Sequence, residues 1–353
     1  MKRSMSVISI VFATILIFNL QTTAQNTAQR PKTNNPAPAF EQLISKLPAS
    51  DAVIGFDLER LRNSAIPTVL GGETSLLNTA NSLIAELKSN YGIDLGSFES
   101  AAAGIAIKQI KDNEFDFEPA VIVRGSEDSQ RVISDALGRE QLNVTTETVA
   151  DKTMYIVRLK TEKTSSENQE SVPVSKKNNY FAGLQREFAL AMLDDRTIAI
   201  GTTERVRQTL KLPGRIDQQL IALVRKAPGN VLRFAARSPR GISKLLPLDS
   251  DDLGQSIESI RFIYGGLTVE QQTTKIEASG ITATANAALS LKETLEGVQT
   301  LGKALLGNSK GADKALYRRL LESAVFSAKD NEVKFQIGIP HSDVRGLIGM
   351  LSK

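Results

Sequence analysis

Three phrases of this sequence recur about 150 residues downstream in altered spelling, and a chain that repeats itself at that spacing is built from two like units rather than from a solenoid of short repeats. Asp94-Leu95-Gly96-Ser97-Phe98-Glu99-Ser100, running into AAAGIAI, resembles Asp252 to Ser259 running into IRFIYGGLTV. VIVRGSEDSQRVISDAL (Val121 to Leu137) parallels IEASGITATANAALSLKETL (Ile276 to Leu295). RTIAIGTTERVRQTL (Arg196 to Leu210) parallels EVKFQIGIPHSDVRGLIGML (Glu332 to Leu351). The last two pairs share one grammar, a strand, a turn and then a helix. We therefore expect an internal duplication, with a boundary at Leu212-Pro213-Gly214, where Pro and Gly punctuate the chain.

Periodicity fills in the elements. Alternating apolar runs predict strands at 52–56, 100–110, 119–123, 143–148, 153–159, 186–192 and 197–200 in the first half. Apolar residues at spacings of three and four predict helices at 58–69, 75–91, 128–137 and 203–210. In the second half the same reading gives helices at 216–225, 285–306, 312–321 and 343–351, with a helical stretch ahead of residue 260. Its strands are 230–235, 260–269, 274–279 and a hairpin of 324–328 with 333–339 around Asp330-Asn331. The expected fold class is α+β: two similar halves, residues 40–213 and 214–353, each a mostly antiparallel sheet packed with helices. Residues 161–179 (TEKTSSENQESVPVSKKNN) carry no bulky apolar residue but two Val and read as a mobile insertion within a hairpin.

The first residues read as an address. Met1 to Arg3 is basic, Ser6 to Leu20 is almost wholly apolar, and Thr22-Thr23-Ala24 supplies small residues at a cleavage spacing. This is the pattern of a secretory signal peptide over 1–24. Its apolar run is shorter than the roughly 20 residues that span a bilayer. The polar, Pro-rich stretch 25–39 follows as a disordered linker. The expected destination is export to the periplasm or beyond, with membrane contact only through the N-terminal segment; an uncleaved segment would make the protein an anchored scaffold.

Composition excludes several chemistries. The 353 residues include no cysteine, so disulfides, thiolate nucleophiles and thiolate metal sites are out, and so is the cysteine of a lipoprotein anchor. The formal net charge is +4, but Lys2 and Arg3 belong to the signal, and acids and bases interleave along the rest. That pattern argues against nucleic acid, which selects a basic face.

Motifs for catalysis are absent as well. The lone histidine, His341, stands between Pro340 and Ser342-Asp343, where a strand gives way to a helix, and no G-x-S-x-G elbow exists to partner it. There is no S-x-x-K and no phosphate-cradling glycine loop. Asp249-Ser250-Asp251-Asp252 superficially suggests a calcium loop, but Leu253 and Ile260 occupy positions that need oxygen ligands. These acids read instead as a helix cap, and Asp194-Asp195 as a hairpin turn. Arg233, Arg237 and Arg240 form one local basic cluster, which fits either an anion or a solvated strand edge. The long amphipathic helix at 285–306 lacks the basic face and aromatic anchors of a membrane-surface helix, so core packing is expected.

Leu47-Pro48-Ala49-Ser50-Asp51-Ala52-Val53, together with Tyr91-Gly92-Ile93-Asp94 and Glu118-Pro119-Ala120-Val121-Ile122-Val123-Arg124-Gly125, resembles exported bacterial proteins of unknown function that open with a Leu-Pro-Ala signature. The resemblance covers most of the chain after the signal. It implies export and a non-enzymatic role, and it carries no catalytic, cofactor or metal residue to transfer.

The functional expectation is an exported, non-catalytic binding or structural protein of the cell envelope, without cofactor or metal, holding a protein or a small ligand in a groove between its halves. The competing expectation is a hydrolase using paired carboxylates from Asp194, Asp195, Asp249 and Asp251. It requires two of them to converge in one cleft.

Overall fold

In the computed structural model, the described residues are 39–71, 78, 95–111, 114–126, 129–138, 142–159, 187–239, 241, 251–307 and 312–351. The signal, the linker up to residue 38, the insertion 161–179 and the expected helix at 75–91 lie outside them, apart from residue 78.

The protein is α+β, and its strands form a single antiparallel sheet of twelve. In the first half these are β1 (Ala52–Asp57), β2 (Phe98–Lys111), β3 (Glu114–Gly125), β4 (Leu142–Val149), β5 (Lys152–Leu159), β6 (Glu187–Asp194) and β7 (Thr197–Gly201). The second half adds β8 (Leu232–Arg237), β9 (Ile260–Val269), β10 (Thr273–Thr282), β11 (Ala324–Lys329) and β12 (Glu332–Pro340). The sheet order is β11-β12-β10-β9-β8-β1-β2-β3-β7-β6-β5-β4. The halves therefore do not hold separate sheets. They meet at β1 and β8, which pair antiparallel with Ile54 opposite Phe234.

Read outward from this seam, both halves lay down strands in a corresponding order: β1, β2, β3, β7, β6 on one side and β8, β9, β10, β12, β11 on the other. The hairpin β4–β5 extends the first side alone. Each paired phrase of the sequence falls on corresponding places: the approach to β2 and β9, the passage out of β3 and β10, and the passage out of β7 and β12.

Each half opens with a short helix on the same face of the sheet, α1 (Ala39–Ile44) before β1 and α5 (Gln218–Lys226) before β8. Phe40, Leu43, Ile44 and Leu47 follow one another at helical spacing and are buried, as are Leu220, Leu223 and Val224 of α5. They close the central core over Val53, Ala102, Ile122, Ala235 and Tyr264. Gly55 leaves room for the ring of Phe40, which a Cβ would overlap. Between the halves, Gly214 takes a left-handed φ of 77° and gives its N–H to the carbonyl of Leu47. The expected boundary is thus a turn pinned to the first half. α4 (Thr203–Lys211) lies on the same face, with Val206 and Leu210 over Met154, Ala191 and Ala199.

On the opposite face, α3 (Ser129–Leu137) packs through Ile133 on Ala101, Val123 and Ile198, while α7 (Ala285–Gly307) packs through Ala288 and Leu291 on Val333. α8 (Ala312–Ser323) runs beside α7, tied by Gln299 Nε2, which donates to the carbonyls of Leu321 and Ala324. Core packing accounts for one side of α7 only, because Val298, Leu301 and Leu305 near its C-terminal end are exposed. No helix among the described residues is long and apolar enough to cross a membrane.

α2 is helical from Leu58–Arg60 through a π turn at Leu61–Ala65 to Ile66–Leu70. Its Ile66 and Val69 meet Val344 and Ile348 of α9 (His341–Leu351). α6 (Asp251–Glu258) leads into β9. α4 and α9 each close their half, yet α9 packs against α2 rather than over the outer strands of its own half. Lys275, Glu277, Lys334 and Gln336, which alternate with the apolar residues beneath α7, are left facing outward from β10 and β12.

Candidate functional site

The structure disperses the carboxylates of the hydrolase reading. Asp194 ends β6, with Asp195 in the turn that follows, whereas Asp251 opens α6 ahead of β9. Five strands, β8, β1, β2, β3 and β7, separate β9 from β6, which is about 29 Å at roughly 4.8 Å per step. Asp194 is also engaged, accepting from Lys46 Nζ at 2.6 Å. Burial pushes its carboxyl up, but Lys46 and the N–H of Arg196 outweigh that and hold it at about 2. Asp249 lies outside the described residues. Among the described residues, no three carboxylate or imidazole groups gather as metal ligands.

Two members of the arginine cluster are internal fasteners. Arg233 donates to the Gly229 carbonyl at 2.8 Å and stacks over the Phe40 ring, and Arg237 pairs with Asp217 and lies over Phe262. Both clamp the capping helices to β8. Arg240 lies outside the described residues.

His341 is buried at the first position of α9 and not in an open turn, the one respect in which its setting departs from the reading above. The helix begins two residues earlier than expected, and its first turn sinks between β10 and α2. Burial, and then the nearby charge of Arg345, lower its tendency to protonate. Its Nε2 has no hydrogen-bond partner among the described residues.

A groove between the halves does exist, at one end of the β1–β8 seam. Asp57 finishes β1 as Val231 enters β8, and the Asp57 N–H donates to the Val231 carbonyl at 2.9 Å. Asp57 Oδ1 caps α2 by accepting the N–H of Arg60 at 2.7 Å. The helix then passes through its π turn, an insertion that is rare and recurs at functional sites. Asn230 secures the other wall: its Oδ1 accepts from the Val269 N–H at 3.1 Å and its Nδ2 donates to the Val269 carbonyl at 3.3 Å.

The groove is open to solvent, with a volume of about 390 Å³, and is lined by Asp57, Glu59, Arg60, Asn63, Ser64 and Ala65 of the first half and by Asn230, Val231 and Val269 of the second. Glu59, Asn63 and Ser64 have no side-chain partner among the described residues, whereas Asp57 and Asn230 are spent on structure. The lining offers a carboxylate, an amide and a hydroxyl over an apolar floor. With two acids to one arginine it disfavours anions. None of these residues is singled out by the sequence, because Leu58 to Val69 reads as ordinary amphipathic helix and the π turn has no spelling of its own.

No protein-family model matches the sequence. No curated protein matches it either. Among solved structures, three crystal forms of TP0453 are similar in outline. Form III aligns with 10% identity and a TM-score of 0.41 over 86% of this chain and 96% of that one. Form I gives 9% and 0.39 over 87% and 96%. Form IV gives 10% and 0.42 over 86% and 95%.

Proposed function

We infer that this chain is an exported, non-catalytic binding protein of the cell envelope, built by internal duplication, which holds a small polar ligand in the cleft where its halves meet. The observation that carries this reading is the groove at the seam, whose walls come from both halves and whose Glu59, Asn63 and Ser64 side chains have no partner among the described residues. Its volume falls within the range of small-molecule sites. The ligand class that suits these groups is neutral or cationic and rich in hydroxyl, amide or amine, such as a sugar, an amino acid or a short peptide end.

The test is a thermal-shift panel on the chain lacking residues 1–24, using monosaccharides, amino acids and dipeptides in excess. At least one class should raise Tm, since a ligand that binds only the folded state stabilises it by mass action. Ser64→Trp, at an exposed position, should fill the cleft and erase that shift without lowering the basal Tm. Absence of any shift, or a shift that survives the tryptophan, contradicts the reading.

A further inference from the structure

His341, the only histidine of the chain, is held where three elements around the cleft meet. As the first residue of α9 it is 7% exposed, and its N–H donates at 3.1 Å to the carbonyl of Gln272, in the turn from β9 to β10. The carbonyls of Thr273, on β10, and of Thr68, on α2, lie beside its ring. Both contacts reach the cleft by a short route. Val269, the last residue of β9 before that turn, lines the cleft and also packs with Ile66, Val69, Val344 and Ile348 in the cluster that joins α2 to α9. Asn63 and Ser64 line the other wall from the π turn of α2, just ahead of Ile66.

A proton on this ring finds no counter-ion among the described residues. Between Asn63 and Gly71, α2 has no titratable side chain. From the turn and β10, Glu270 and Lys275 pair with each other at 2.7 Å. On α9 itself, Asp343 accepts from Arg319 of α8 at 2.7 and 3.0 Å. Arg345, whose Nη1 donates to the Val69 carbonyl at 3.1 Å, brings a positive charge toward the ring. An imidazolium here is a buried cation beside a cation, a state the chain escapes by opening the contact. We propose that His341 is a pH-sensitive latch on the cleft: neutral, it lets the first turn of α9 sit against α2 and β10, and protonated, it drives that turn outward, so that α2 loosens and the wall carrying Asn63 and Ser64 loses its place. Acid therefore opens the cleft. Release of a ligand by this movement rests on the reading of the cleft as a binding site, whereas the movement of α2 does not.

The chain lacking residues 1–24 is followed by NMR from pH ~7.5 to ~4.5 with no ligand added. With one histidine in the chain, the imidazole signal is unambiguous. The ring is expected to titrate below its ordinary 6.5, and the amide signals of 63–69 and 269 to move with the same midpoint. In His341→Gln that movement should be lost. Arg345→Gln, which removes the neighbouring cation, should carry the ring midpoint and the α2 response upward together. A ring that stays neutral throughout, or titrates at or above 6.5, overturns the latch. So do α2 amides that stay still while the ring titrates, and a response that persists in His341→Gln. The panel of monosaccharides, amino acids and dipeptides, run at pH ~7.5 and ~5, tests the cleft separately: a Tm shift seen at the higher pH should shrink about twofold or more at the lower one in wild type but not in His341→Gln. A shift equal at both pH values also overturns the latch. Silence of the panel at both contradicts the cleft reading alone, and the NMR titration still decides the latch.

Discussion

Arg205 has only 2% of its surface exposed, yet among the described residues it makes no ion pair. Its Nη1 donates to the Ala49 carbonyl at 2.7 Å and to Gln208 at 2.9 Å, and its Nη2 donates to Ser50 Oγ at 2.6 Å. The side chain therefore fastens α4 to the Leu47–Ser50 turn that opens the fold. Arg205→Ala should lower stability by about 2–3 kcal/mol in urea unfolding, because it removes three part-buried hydrogen bonds of a buried side chain and leaves a void; a loss under half of that would make the contact incidental. Two titrations act in the same direction at this scale. Asp194 is held below its ordinary value, so its contribution is complete above pH ~4 and fades as pH falls toward 2, by about 1 kcal/mol or less given its exposure. His341 is also depressed, so as pH drops below ~6.5 the unfolded chain takes up the proton first and stability falls. His341→Gln should flatten the pH dependence of Tm between pH 7 and 5. An unchanged slope would place that dependence elsewhere.

At the scale of elements, most of the fold was legible. Within the described residues the expected strands and helices recur with ends shifted by a few residues, because alternation and three-four spacing report directly on which face is buried; the expected helix at 75–91 lies outside those residues. α1 escaped because six residues are less than two turns, too short a run of helical spacing to stand out beside the Pro-rich stretch before it. The π turn in α2 escaped because one extra residue per turn leaves the apolar spacing almost intact, and the cleft went unseen with it. The arginine cluster was legible as chemistry but not as geometry: one sequence cannot show that Glu41 and Asp217 wait opposite Arg233 and Arg237. The packing of α1 on β1 gives a prediction of its own. Gly55→Ala should cost about 1–3 kcal/mol by driving a methyl into the Phe40 ring. Phe40→Leu in the same chain should recover part of that loss, as a double-mutant cycle would register.

For the whole molecule, the paired phrases indicated two like halves, but not that they share one sheet. Strand pairing across the seam depends on β1 and β8, which lie about 180 residues apart and carry no mark of their partnership. Fusion through β1 and β8 sets the ends of two strands, α2 and Asn230 around one cleft, and it makes β11 and β4 the two outermost strands of the sheet. An account built on that seam is tested most directly by native-state hydrogen exchange resolved at 52–57 and 232–237. Amides of both strands are predicted to exchange together, among the slowest in the chain and with a common free energy of opening. If the halves open independently, with β1 and β8 exchanging fast while the outer strands stay protected, the seam does not hold the molecule together and the cleft has no fixed walls.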